Sequence, residues 1–139
     1  MDTDQTVANL LEKILAYPRA YGEGGYEALL SAREAEVHEL IRLGHHTLRY
    51  CYEMLQRAET DRLSSGVMAH VCRDIMAVWG EDSPEIDETN PNTGTPWFGD
   101  GREWVAEFAA QAQALAQSMD EETLRTSCPG AWLLLSSLQ

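Results

Sequence analysis

The chain has 139 residues, with 23 acidic and 10 basic side chains and a formal net charge of −13. A composition this acidic disfavours nonspecific binding to nucleic acid or to an anionic membrane. No apolar run approaches the roughly 20 residues of a membrane-spanning helix, and the acidic first residues lack the basic region of a secretion signal. Three scattered cysteines without CxxC spacing predict reduced thiols. We therefore expect a cytoplasmic protein.

Helical spacing predicts the first two elements. The first helix starts near Thr3 or Asp4, either of which can cap free backbone amides, and it ends before Pro18. A long second helix is predicted over residues 26–58. Its apolar positions recur every three or four residues and form a narrow seam: Val37, Ile41, Gly44, Leu48, Cys51, Leu55 and Ala58. Gly44 costs about 1 kcal/mol relative to alanine inside a helix, so it indicates either a close helix crossing or a break.

The third helix is predicted to start at Thr60 or Asp61 and to run to about Trp79, with Val78 on its inner face. Proline, glycine, asparagine and acidic residues then dominate residues 80–100. Such a composition predicts one long acidic loop without regular structure, and loops of that length are usually functional or disordered.

A fourth helix is predicted over residues 101–119, with an inner face formed by Trp104, Val105, Phe108, Ala112, Leu115 and Met119. Asp120 caps a short fifth helix that Pro129 terminates, and the apolar tail packs down as a short helix or an extended segment. The pattern predicts an all-α fold. We expect a single-domain bundle of about five helices over residues 1–139, with a long acidic Pro/Gly-rich loop at about 80–100.

Charge is unevenly distributed along the chain. Residues 41–79 carry five arginines and four acids, whereas residues 80–103 carry seven acids and one arginine. Carboxylates at that density can imitate the phosphates of nucleic acid and occupy the basic groove of a protein that binds it, which is the strategy of DNA-mimic inhibitors.

The second predicted helix carries a row of basic side chains beside its seam, here called the histidine row: His38, Arg42, His45 and Arg49. The row fits a contact surface for an acidic partner, and its positive charge would increase below about pH 6.5. The plainer interpretation is a solvated helix face, on which Arg42 pairs with Glu39 and Arg49 pairs with Glu53.

A metal site is one alternative. Glu34 and His38 are four residues apart on one helix, and His70 and Asp74 have the same spacing on the next, so the two pairs could form a His/carboxylate site inside a bundle. The Glu-x-x-His repeat of di-iron bundles and the His-Glu-x-x-His motif are both missing. We therefore predict no cofactor.

A ribonuclease is another alternative. Arg33 and His38 resemble the Arg-x4-His motif of HEPN ribonucleases, which are all-α proteins that act as dimers. The resemblance implies that Arg33 holds a phosphate while His38 moves a proton. It covers six residues, and Glu34 stands where the family usually has Asn, His or Asp. Outside the motif, His45 in the histidine row is a further candidate for the histidine of an enzyme.

We expect a small acidic protein that acts by binding another protein, with no chemistry of its own. It would be an inhibitor, an adaptor or an immunity-type binder of bacterial or phage origin. A nucleic-acid-binding protein is the partner that charge mimicry would select, and the seam on the second helix also fits a homodimer. The predicted partner-binding residues are Asp82, Glu85, Asp87, Glu88, Trp97, Phe98, Arg42 and Arg49.

Overall fold

A computed structural model describes residues 3–16, 31–57, 62–86 and 100–138. These residues form seven α-helices: α1 (Thr3–Leu15), α2 (Glu34–Leu43), α3 (His45–Leu55), α4 (Arg62–Val78), α5 (Gly101–Ser118), α6 (Glu121–Ser127) and α7 (Pro129–Ser137). The predicted all-α class is confirmed, and no strand occurs within the described ranges. The predicted count of about five helices is too low, because the second predicted helix is divided and the apolar tail is helical.

The predicted acidic loop can be followed only at its two ends. Residues 81–86 have no regular secondary structure, in agreement with the prediction. Residues 87–99 lie outside the described residues, and Asp100 is already the N-cap of α5. Within the described chain, no helix is both long and apolar enough to cross a membrane.

Gly44 divides the long predicted helix into α2 and α3. Its φ is +55°, a left-handed conformation that side chains with a Cβ rarely adopt. The hydroxyl of Thr47 donates a hydrogen bond of 2.7 Å to the carbonyl of Leu40 and so satisfies an acceptor near the break. A Cβ added at Gly44 would lie 3.3 Å from the ring of Trp79. Of the two interpretations, the break is the one observed.

Helix α3 lies at the centre of the fold and contacts α1, α4, α5 and α7. Its buried face carries the predicted seam residues Leu48, Cys51 and Leu55, and also Tyr52. The Tyr52 hydroxyl donates to the carbonyl of Gly130, 3.1 Å away, and thereby ties α3 to α7. The seam is therefore occupied by helices of the same chain.

Helices α4 and α5 approach each other closely at Gly101. The Gly101 amide donates to the hydroxyl of Ser65, 3.1 Å away, and a Cβ at Gly101 would lie 2.0 Å from the Ser65 carbonyl oxygen. Only glycine fits such a crossing. At the other end of α4 the prediction for Val78 is wrong, since this residue is 69% exposed. The buried residues Ile75 and Met76 are the last of α4 to reach the core.

The predicted inner face of α5 is confirmed, because Trp104, Val105, Phe108 and Ala112 are buried. The predicted cap of the next helix is confirmed as well, since the Asp120 carboxylate accepts a hydrogen bond of 2.7 Å from the Thr123 amide. After α6, Pro129 begins α7, where its missing N–H removes no helical hydrogen bond.

Candidate functional site

The break at Gly44 separates the histidine row into two pairs, His38 and Arg42 on α2 and His45 and Arg49 on α3. All four side chains are exposed, so their predicted position beside the core is confirmed. The Arg42 guanidinium donates from Nε to Glu39 Oε2 at 2.9 Å, and this hydrogen bond lowers the pKa of Glu39. Arg49 and Glu53 form no ion pair, although both belong to the described chain.

The residues of the ribonuclease alternative lie at three places: Arg33 just before α2, His38 on α2 and His45 on α3. Arg33 is half-buried at the N-cap of α2, and five residues along a helix correspond to a rotation of about 140° around the axis. His38 Nε2 lies 3.7 Å from Glu34 Oε1, so a carboxylate occupies the space beside the imidazole. The His45 ring packs against that of His46 in a tilted arrangement, with centroids 4.6 Å apart.

The residues of the metal alternative are separated by burial. Glu34 and His38 are exposed on α2, whereas His70 is buried within α4 and Asp74 is half-buried. Across the described ranges, no group of three or more His, Cys, Asp or Glu side chains could hold a metal ion. The structure therefore does not bring these four residues together as ligands.

Residues 81–86, here called the anchored segment, follow α4 and are fixed first by Glu81. One Glu81 oxygen accepts from the Gly130 amide at 2.7 Å and the other accepts from the Ala131 amide at 3.0 Å. Pro129 has no amide hydrogen, and the Trp132 amide is bonded to the Cys128 carbonyl. Glu81 thus binds both amides that the first turn of α7 leaves free, as an N-cap residue would.

The Glu81 carboxyl is held in a partly buried position. Burial raises its pKa, the two amide hydrogen bonds lower it, and the neighbouring charge of Asp82 raises it, with a net shift upward. A side chain at position 130 would collide with the site, since a Cβ there would lie 2.5 Å from Met76 Sδ. The carboxylate therefore lies close against the first turn of α7 and is half-shielded from solvent.

A second anchor fixes the middle of the segment against α5. The Trp104 indole donates from Nε1 to the carbonyl of Pro84 at 2.9 Å, and Pro84 and Ile86 are buried. Glu85, between these two buried residues, is exposed, and so is Asp82 at the start of the segment. The segment therefore presents its two remaining acids outward from a fixed backbone.

The same hydrogen bond places the segment beside the first turns of α5, which carry Glu103 and Glu107 on an exposed face. We call these two residues, with Asp82 and Glu85, the acidic surface. No lysine, arginine or histidine of the described chain forms an ion pair with any of the four. No ion pair within the described chain therefore neutralises these four carboxylates, and solvent ions screen their charge.

The acidic surface includes part of the predicted partner-binding set and adds to it. Asp82 and Glu85 belong to both, whereas the predicted residues Asp87, Glu88, Trp97 and Phe98 lie outside the described residues. Glu103 and Glu107 were not predicted, because acids on a helix surface usually indicate only a solvated face. Glu81 was not predicted either, since its partners lie 49 and 50 residues away in the sequence.

Comparisons with protein-family models, with curated proteins and with solved structures found no match for this chain. No relative therefore assigns a role to these side chains. The best-supported candidate is the acidic surface on its anchored backbone, because it combines exposed charge with fixed geometry.

Proposed function

We propose that this protein acts by binding another protein through the acidic surface, with no chemistry of its own. The observation that carries the proposal is the double anchoring of residues 81–86. Glu81 holds one end on α7, and the Trp104 indole holds the middle on α5. The exposed carboxylates of Asp82 and Glu85 therefore stand on a backbone that needs little ordering when a partner binds.

The negative charge of the acidic surface favours a partner with a positively charged surface. None of the four exposed carboxylates forms an ion pair within the described chain, so their negative charge is available to attract a positively charged partner. Electrostatic complementarity of this kind accelerates association and excludes like-charged competitors. A nucleic-acid-binding protein fits best, because its groove is built to accept a row of negative charges.

On this proposal the protein is an inhibitor, an adaptor or an immunity-type binder of bacterial or phage origin. We place the interaction in the cytoplasm, since Cys51, Cys72 and Cys128 are free thiols. Nothing in the geometry of His38 or His45 favours the enzyme alternative over binding.

The test is affinity capture from a bacterial lysate at low and at high salt, with the captured proteins identified by mass spectrometry. The key variant neutralises Glu85, Glu103 and Glu107 by substitution with glutamine. We expect the wild-type protein to capture a discrete basic partner at low salt, to release it at high salt, and the triple variant to lose it.

A matched control changes the same number of charges elsewhere, by substituting Glu12, Glu53 and Glu122 with glutamine, since all three are exposed. Capture should survive in this control. If both triple variants lose the partner equally, bulk charge governs binding and the acidic surface is not the site. If both retain it, the interface lies elsewhere.

A further inference from the structure

An open groove of about 440 Å³ lies between α3, α5 and α7. Its floor is apolar and is formed by Leu55, Val105, Ala109, Leu134 and Leu138. Leu138 is 43% exposed, one of three large apolar side chains in the described chain with such exposure. A volume in the range of roughly 300–1,000 Å³ with a mostly apolar lining is typical of sites for small organic ligands.

Two arginines stand at the rim of this groove, Arg57 just after α3 and Arg102 in the first turn of α5. Both side chains are exposed. Arg57 lies with Nη1 3.7 Å from Met54 Sδ, and it forms no ion pair with a carboxylate of the described residues. Two of the chain's 10 basic side chains therefore stand at this one opening.

The side of the groove next to Arg57 is held in place by Gln56. The Gln56 amide donates from Nε2 to the Tyr52 carbonyl at 2.9 Å and to the Ser137 hydroxyl at 3.0 Å. These two bonds tie the end of α3 to the last turn of α7. The rim and the floor are thus fixed relative to each other.

We propose that this groove binds a small amphiphilic carboxylate, a medium-chain fatty acid in its simplest form. The alkyl chain lies along Ala106, Ala109 and Leu138, the apolar lining residues that keep accessible surface, and burial of that surface supplies the affinity. The carboxylate accepts hydrogen bonds from Arg57 and Arg102, whose guanidinium groups match its geometry and charge.

The dimensions favour a small molecule over a segment of a protein. Along α5 the groove runs from Arg102 to Ala109, a distance of about 10 Å at 1.5 Å per residue. A docked helix would gain only two turns of contact there, far below the ~800 Å² per partner of a stable protein interface. At 100° per residue, Glu103 and Glu107 lie on a different side of α5 from Ala109, so the groove and the acidic surface can be tested independently.

The experiment is titration of the full-length chain with sodium decanoate, below its micelle concentration, by calorimetry and by amide NMR. We expect saturable binding of one molecule per chain, with the largest shifts in the residues of the groove. Ala106 lines the groove and is exposed, so Ala106→Trp should fill the site and abolish binding. Ala110→Trp, on an exposed part of α5 outside the groove, should leave binding unchanged.

The carboxylate contact is tested by the double variant Arg57→Gln/Arg102→Gln. We expect its affinity for decanoate to fall by about tenfold or more, because a charge-assisted hydrogen bond is roughly twice as strong as a neutral one. Arg125→Gln removes an exposed arginine from α6, outside the groove, and should change nothing. Circular dichroism and thermal melting verify that each variant is folded.

Three results would overturn the proposal. The first is equal affinity for decanoate and for decyltrimethylammonium, which would remove any role for the arginines. The second is unchanged decanoate binding in Ala106→Trp, which would place the ligand elsewhere. The third is absence of saturable decanoate binding while an acidic amphipathic peptide binds, which would make the groove a docking site for a protein.

Discussion

The histidine row on α2 and α3 and the anchored segment before α5 both carry ionisable side chains on the surface, but they differ in how far along the chain those side chains reach for their partners. In the histidine row, Arg42 pairs with Glu39 three residues away, and His38 lies near Glu34 four residues away. In the segment, Glu81 binds amides 49 and 50 residues away.

This difference shows how a local ion pair on a helix surface differs from a contact that fixes two distant parts of the chain. Pairs three or four residues apart form on almost any solvated helix and contribute only about 0.2–0.5 kcal/mol each. A carboxylate that caps a distant helix constrains both parts of the chain and gives the side chains around it a fixed position. Residue type alone favours the histidine row as the functional site. The long-range hydrogen bonds of Glu81 and Trp104 favour the acidic surface, because they fix the segment that carries Asp82 and Glu85.

The largest expected effect is that of Glu81→Ala on stability. The substitution leaves the amides of Gly130 and Ala131 without an acceptor at a partly buried helix end, and we expect the free energy of unfolding to fall by about 2 kcal/mol. Urea denaturation followed by circular dichroism measures it. Glu85→Ala, four residues on and exposed, should stay within about 0.5 kcal/mol of the wild type. Equal losses in the two variants would show that Glu81 is not an anchor.

A smaller effect concerns pH. Because burial raises the pKa of Glu81 above its ordinary value of 4.5, the folded state holds the proton more tightly than the unfolded state does. The contribution of this group to stability is therefore greatest below pH 4.5 and is lost as the pH rises through the folded pKa. Glu81→Gln removes the titrating group.

The measurement compares the free energy of unfolding of the wild type and of Glu81→Gln at several values between pH 4 and pH 8. We expect the wild type to lose stability relative to the variant as the pH increases. The opposite slope would mean that the two amide hydrogen bonds outweigh burial and hold the carboxylate in its charged form.

The local features of this fold could be predicted from the sequence, whereas the contacts between distant residues could not. The positions of Asp120 and of the inner face of α5 were predicted, because capping and helical periodicity are local. The choice between a crossing and a break at Gly44 was left open, and the ring of Trp79, just after α4, lies close to that glycine although it is distant in the sequence. The anchoring of residues 81–86 depends on hydrogen bonds to Gly130 and Trp104, which are distant in the sequence. No local sequence pattern therefore predicts it.

The smallest expected effect is that of His38→Ala/His45→Ala. Both side chains are exposed, and the ion pair that His38 forms within the described residues is with Glu34, four residues away. We expect stability to change by less than about 0.5 kcal/mol and partner capture to be retained, whereas neutralising Glu85, Glu103 and Glu107 abolishes capture. If the double histidine variant instead loses the partner, or loses an RNA-cleaving activity that the wild type has, the histidine row is the functional surface. In that case the anchoring by Glu81 would serve only to hold α7 against the core.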